Sequence, residues 1–316
     1  MSTAPRMSSS AFLLVLCIHG ALSLKICSFN IQSFGENKIA KQEVLDVILK
    51  CIARCDITLV MEIKDAKERA FPQLVTHLNR GSSRGAEEYS YVISRRLGRN
   101  SYKEQYGFIY RRRLVSVKAT YQYPDNQSGD KDVFSREPFV VWFSSPTTAI
   151  KDFVIIPTHT TPETAVREID ELYDVYQDVK RQWTTAQSFI IMGDFNAACG
   201  YVPKKQWSSI RLRSDRSFLW LTSDNMDTTV KESTRCAYDR IVLRGESLIQ
   251  AVSPDSVEVF NFKEAYGLTE NQALAVSDHF PVAFTLRPQR GKNGLRYRGI
   301  PAVVRATHVC LEATVP

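Results

Sequence analysis

Six short apolar runs rich in β-formers recur along the chain, at residues 26–31, 57–61, 153–156, 189–192, 240–243 and 280–286, with helical patterns between several of them. Strands alternating with amphipathic helices require covered sheets, so the fold class is mixed α/β. One helical pattern covers 42–55, where Val44, Ile48, Cys51, Ile52 and Cys55 share a face. No His or Cys stands nearby at metal-ligand spacing, so the two cysteines read as core packing. A second pattern covers 162–183, with Thr161 as N-cap, Pro162 at the first helical position, and Val166, Ile169, Leu172, Val175 and Val179 in one stripe. Neither an internal repeat nor a long linker interrupts the chain before Leu286. The reading is a leader at 1–23, one domain at 24–286 and a tail at 287–316.

The leader has the form of a secretory signal. Arg6 supplies the charged start, residues 11–18 are apolar, and Ala21 and Ser23 are small residues at the −3 and −1 positions of a cleavage site. The apolar run falls short of the ~20 residues needed to span a bilayer. An oxidising compartment permits disulfides among Cys27, Cys51, Cys55, Cys199, Cys236 and Cys310. It also gives meaning to Asn126-Gln127-Ser128, a glycosylation sequon in a polar loop. Charge is unevenly spread. Of the net +7, residues 287–316 carry +5 and residues 25–286 only +1.

Polar residues cluster at the ends of the apolar runs. Asn30 lies near the end of the first, Glu62 closes the second, His159 follows the third, and Asp194 and Asn196 follow the fourth. Asp239 and Asp278-His279 instead precede their strands. If those later strands run antiparallel to the earlier ones, carboxylates, amides and two imidazoles collect along one edge. Any of these residues alone also fits a turn cap or a satisfied polar side chain, and spacing does not make them converge.

Eight words occur in order: Phe29-Asn30-Ile31, Met61-Glu62, Leu97-Gly98-Arg99-Asn100-Ser101-Tyr102-Lys103-Glu104, Phe134-Ser135-Arg136-Glu137-Pro138, His159-Thr160-Thr161-Pro162, Gly193-Asp194-Phe195-Asn196-Ala197, Cys236-Ala237-Tyr238-Asp239-Arg240 and Ser277-Asp278-His279-Phe280-Pro281. Together they resemble the secreted deoxyribonuclease I family over essentially all of 24–286. Val60 to Asp65, and residues 154–157 before His159, look most like its deoxyribonuclease gamma branch. The resemblance implies a four-layer sandwich of two packed mixed sheets flanked by helices. It also implies a metal-dependent endonuclease that hydrolyses DNA to 5′-phosphate ends with little sequence specificity, acting on extracellular or dying-cell chromatin.

Phosphodiester hydrolysis needs an in-line water, charge stabilisation on the phosphoryl oxygens and protonation of the leaving 3′ oxygen. Imidazole suits both proton transfers because its pKa lies near neutrality. By resemblance Glu104 pairs with His159 and Asp239 with His279, one pair serving as base and the other as acid. Asn30 and Glu62 match Mg²⁺ positions (Mn²⁺ being the alternative ion), with oxygen ligands suited to a hard cation. Asp194, Asn196 and Asp278 surround the scissile phosphate. Asp227, Thr229 and Thr234 match one structural Ca²⁺ site; Asp125, Asp132, the carbonyl of Phe134, and Glu137 match another. Arg136 and Lys64 are expected at backbone phosphates and Tyr102 at the minor groove of double-stranded DNA, contacts that position a duplex without reading bases. Cys199 and Cys236 match a family disulfide.

The chain departs from the family in three places. Residues 125–130 contain no cysteine where the family has a small two-cysteine loop. Phe139 replaces a small residue that contacts actin in some members, so actin binding does not carry over, and the expected state is a monomer. The Arg-based tail is a candidate anchor for chromatin or anionic membranes. Two rival readings stay open: a phosphomonoesterase or phospholipid diesterase on a related fold, and a catalytically dead nucleic-acid-binding protein.

Overall fold

The computed structural model describes residues 22–80, 88–128 and 131–289. The expected leader before Leu22 and the tail beyond Gln289 lie outside them. In chain order the elements begin with β1 (Leu24–Phe34), α1 (Glu36–Ile39), α2 (Gln42–Ala53), β2 (Ile57–Ile63), α3 (Ala70–Arg80), β3 (Tyr89–Ile93) and β4 (Gln105–Arg111). Then come β5 (Ser116–Gln122), β6 (Phe139–Ser144), β7 (Asp152–His159), α4 (Ala165–Gln182), β8 (Phe189–Asp194), α5 (Arg211–Ser214) and β9 (Phe218–Trp220). The last are β10 (Asp239–Arg244), α6 (Glu246–Ala251), β11 (Glu258–Val259), α7 (Phe262–Ala265), α8 (Glu270–Val276) and β12 (Val282–Leu286).

Two six-stranded mixed sheets result, in the orders β11-β12-β1-β2-β4-β3 and β5-β6-β7-β8-β10-β9. Each has one parallel pair, β1 with β2 and β7 with β8, whose crossover carries a helix. Side-chain alternation builds the layers. Ile190 and Met192 of β8 meet Ile26, Leu59 and Phe284 between the sheets, while Phe189 and Ile191 turn outward onto Ile169, Leu172, Val175 and Val179 of α4. Val60 and Phe29 likewise face α2 and α3 on the far side. The architecture is helix, sheet, sheet, helix, as expected. Phe139 is buried in the central layer.

Several boundaries need correction. The first strand runs on to Phe34, so Asn30 sits mid-strand and not near its end; Phe34 pairs with Ile63 after an irregularity that follows Asn30. The helix expected from Pro162 opens as a 3-10 turn, Pro162–Thr164, and becomes α-helical at Ala165. Thr161 makes no side-chain cap. Instead Glu168 reaches back, accepting from Thr161 N (3.0 Å) and Thr164 Oγ1 (2.6 Å), while Thr161 Oγ1 donates to Ser135 Oγ (2.7 Å). Helix α2 stops at Ala53, and Cys55 beyond it is bonded to Cys27 of β1. Core packing therefore describes only Cys51, whose buried thiol is pushed up to about 12 by desolvation. The strand expected from residue 280 begins at Val282. Pairing also continues past Leu286, since Ala149 N donates to Arg287 O and Gln289 N to Thr147 O, both at 2.9 Å.

Candidate active site

The strand ends of β7, β8 and β10 lie side by side, with His159 paired to Asp194 and Asp194 to Asp239. Gly193 permits this approach. Its φ is +144°, and a Cβ there would meet Thr158 O at 1.9 Å. From the other sheet, Asn30 and Glu62 come in on β1 and β2. Glu62 has φ +57°, at a point where the pairing of β2 with both β1 and β4 shifts register. Paired irregularities of this kind re-aim a side chain at a functional edge.

His279 enters on the segment before β12, bridged to Thr229. Its Nδ1 lies 2.7 Å from Asp239 Oδ2 and its Nε2 3.5 Å from Asp194 Oδ2. Across the cleft His159 Nδ1 lies 3.3 Å from Glu104 Oε1 and its Nε2 3.6 Å from Asp194 Oδ2. Two imidazole–carboxylate pairs thus converge on one carboxylate oxygen. Burial alone would lower the pKa of His279, but the charges of Asp239 and Asp194 outweigh it and raise it well above the usual value. Burial would raise Glu104, yet the His159 charge and hydrogen bond, then Arg136, hold it below the usual range. Glu62 is brought down to about 2 because His159, Lys64 and the Ser33 N–H overcome its desolvation.

The oxygen donors fit a hard cation at the expected place. Asn30 Oδ1 is buried without a hydrogen-bond partner among the described residues, and its Nδ2 donates to Glu62 Oε1 at 3.2 Å and Asp194 Oδ2 at 3.1 Å. A second group, Asp194, Asp239 and His279, brings ligand atoms within 4.8 Å of one another. The Asp227 set is also together: Thr229 Oγ1 donates to Asp227 Oδ1 (2.6 Å) and lies 2.7 Å from Thr234 O. All of its donors are oxygens, as calcium requires. The other Ca²⁺ set differs. Asp125 Oδ2 accepts from Phe134 N (2.8 Å), but Arg99 donates to Asp132 Oδ2 (2.5 Å) and Asp132 O (2.7 Å) and reaches Phe134 O at 3.5 Å. Glu137 instead faces Arg95 at 4.0 Å. As they stand these residues do not fit a cation, because a guanidinium holds two of the four.

Asn196, at φ +47°, donates through Nδ2 to Thr160 O (2.9 Å), and Asp278 accepts from Gln32 Nε2 (3.0 Å). Lys64 sits 2.6 Å from Glu62 Oε2 and 4.5 Å from the ring centroid of Tyr102, which is 54% exposed. Arg136 is only 8% exposed and already engaged. Its guanidinium lies 2.8 Å from Glu104 Oε1 and donates to His159 O (2.5 Å) and Thr160 O (3.0 Å). Its edge lines a groove of about 470 Å³ with Tyr102 and Asn100. Cys199 and Cys236 are disulfide-bonded, tying the loop after Asp194 to the start of β10. Asn126 is exposed.

Sequence reasoning passed over several contributors. Tyr106 Oη accepts from His159 N (2.9 Å) and donates to Arg136 O (3.2 Å); nothing in its strand pattern marks it. Thr228 Oγ1 accepts from Tyr238 N and Asp239 N at 3.1 and 3.2 Å. Fully buried Arg240 donates to Ala237 O and Ala197 O, at 2.8 and 2.9 Å, joining two of the recognised words, in one of which it stands.

The family model described as the Endonuclease/Exonuclease/phosphatase family matches residues 27–279. Deoxyribonuclease gamma of Homo sapiens is 63% identical over 278 residues, covering 88% of this chain and 90% of that protein. Deoxyribonuclease-1 of Equus caballus is 46% identical over 282 residues, covering 89% and 98%. Among solved structures, an endonuclease/exonuclease/phosphatase from Bacteroides vulgatus superposes with a TM-score of 0.55 at 14% identity, covering 85% of this chain and 100% of that one. That last likeness is one of fold.

Proposed function

The chain belongs to the deoxyribonuclease I family, within the endonuclease/exonuclease/phosphatase family, and is a DNA-hydrolysing endonuclease; from that premise we propose a secreted, divalent-metal-dependent enzyme that leaves 5′-phosphate ends. The observation that carries this reading is the convergence of two imidazole–carboxylate pairs on Asp194 beside Asn30 and Glu62.

In this reading one imidazole accepts a proton from the attacking water while the other donates to the leaving 3′ oxygen. Glu104 and Asp239 fix the tautomer of their partners and stabilise the imidazolium form. Asn30 and Glu62 would hold Mg²⁺ or Mn²⁺, which supplies Lewis-acid stabilisation of charge on the phosphoryl group. Asp227, Thr229 and Thr234 would hold Ca²⁺ and stiffen a loop whose Val230 N bonds Asp278 O and whose Thr228 O accepts from Phe280 N. Lys64, Tyr102 and the edge of Arg136 flank the cleft where a duplex backbone would run. The substrate would be extracellular or dying-cell chromatin, with the basic tail as anchor to DNA or anionic membranes and the chain acting as a monomer. Two disulfides agree with passage through an oxidising compartment.

Plasmid nicking by the purified chain, with Mg²⁺ and Ca²⁺ and then with chelator, is the test. Nicking should stop with chelator, and the products should accept a kinase label only after phosphatase treatment. Chelator-resistant cleavage, or ends labelled without phosphatase, would overturn the reading.

A further inference from the structure

His279 and Asn30 come from opposite ends of the chain, and one seam keeps them in register. One side of the seam is the irregular end of β1, from Asn30 onward. The other is the loop from the end of α8 to His279. Ser277 is fully buried there. Its hydroxyl donates to Asn30 O (2.6 Å) and accepts from the backbone N–H of His279 (3.1 Å) and of Gln32 (3.4 Å). With one donor and two acceptor positions in use, that hydroxyl is saturated.

The second fastening is an ammonium. Lys38, on α1, donates through Nζ to Gln32 O and to Val276 O (2.7 Å). Val276 ends α8, so its carbonyl lacks an intrahelical partner. Gly35 lets α1 sit close enough for this reach, since a Cβ there would meet Lys64 O at 2.7 Å.

We propose that Lys38 is a positioning residue of the cleavage reaction: its ammonium, shared between the carbonyls of Gln32 and Val276, fixes where His279 and Asp278 stand relative to Asn30. The proposal rests on the site reading above. Charge-assisted hydrogen bonds are roughly twice as strong as neutral ones, so this tie outranks the neutral bonds of Ser277. Burial draws the ammonium down to about 8, while the carboxylates of Asp278 and Glu62 oppose that fall and keep a cation in the seam. Lys38 is only half-buried. Water can therefore satisfy the two carbonyls when the ammonium is removed. The fold survives and the seam slackens.

The test compares Lys38→Met and Lys38→Arg in the full-length protein. Lys38→Met should lower kcat for Mg²⁺-dependent nicking by about ten- to a hundredfold, the scale of a misplaced reacting group. KM for DNA should stay within about twofold of the parent, because no substrate contact is removed. Hydrogen exchange at residues 276–280, measured without metal, should quicken. Lys38→Arg, which still offers charged donors to both carbonyls, should recover most of kcat. A Lys38→Met enzyme with kcat within twofold of the parent, or with parental exchange at 276–280, overturns the proposal. Should Lys38→Met fail to fold, Lys38→Gln, which keeps a neutral donor in the seam but removes the charge, should show the same split between kcat and KM at smaller size; unchanged kcat there overturns the proposal equally. A parent protein that does not nick DNA with Mg²⁺ refutes the underlying site reading instead.

Discussion

Replacing Arg136 by Met removes a cation that is 8% exposed and sits 2.8 Å from a Glu104 that is 3% exposed. Glu104 would keep only His159 as a charged partner, the carbonyl of His159 would lose the Arg136 donor, and that of Thr160 would keep only Asn196. Breaking a buried pair from one side costs about 3–5 kcal/mol. At ~2–4 °C per kcal/mol for a domain of this size, the melting temperature should fall by roughly 6–20 °C. Activity should fall further than stability alone explains. His159 is held through its carbonyl by Arg136 and through its N–H by Tyr106, so freeing one end tilts the imidazole, at a cost of about a hundredfold in kcat. The loss of a neighbouring positive charge should also raise the Glu104 pKa and move the acid limb of kcat/KM to higher pH. Arg136→Lys keeps charge but not the fork and should be intermediate. Thermal melts, steady-state nicking and a pH profile read all three effects. If Arg136 served only as a phosphate contact, Met would raise KM and flatten the log–log salt slope by about 0.9, with the melting temperature and kcat unchanged. That pattern would refute the positioning argument.

His279 gives the metal-free protein a pH signature. Its folded pKa is raised, so its contribution is complete below the unfolded value near 6.5 and is lost as pH climbs through the folded value. Melting temperatures in chelator should decline over that alkaline window, and Asp239→Asn should flatten the decline; an equal slope in both proteins refutes the assignment. The Cys199–Cys236 bond closes a loop with sequence separation 37, worth about 3–4 kcal/mol on a chain-entropy basis. Cys199→Ser with Cys236→Ser should melt lower and cleave more slowly, and an unchanged melt speaks against the bond. Cys51 should resist alkylation until the chain is denatured, because its thiol is buried and pushed up to about 12; labelling of the native protein by iodoacetamide would contradict this. Deleting 290–316 removes Arg290, Lys292, Arg296, Arg298 and Arg305 while leaving the paired residues through Gln289. If these residues anchor the enzyme, the salt dependence of DNA binding should flatten by several units, while low-salt cleavage of naked DNA persists; an unchanged slope would make the tail a passive extension.

Much of this protein is written locally. Alternation in residues 189–192 and the stripe from Ile169 to Val179 depend on side-chain period alone, and both elements form there. The polar residues at the ends of those runs are visible in the same way; Cys236 belongs to a recognisable word and Cys199 stands two residues past another. What the sequence could not settle depends on contacts between distant segments. Glu62 faces the cleft because β1 and β2 both lose register beside it and its backbone takes a positive φ, a cost that no propensity at position 62 predicts. Cys55 reads as one more apolar residue on a helical face until the helix ends at Ala53 and brings it to Cys27. Arg136 reads as a surface cation until Glu104 and the carbonyls of His159 and Thr160 close around it. Lys38 stands near Gln32 in the chain and gains its second acceptor, Val276 O, only when the end of α8 arrives beside β1. Period and residue type specify which face of an element is buried. Which charged group ends up beneath that face is decided by packing between elements far apart in the chain, where desolvation makes each remaining partner count.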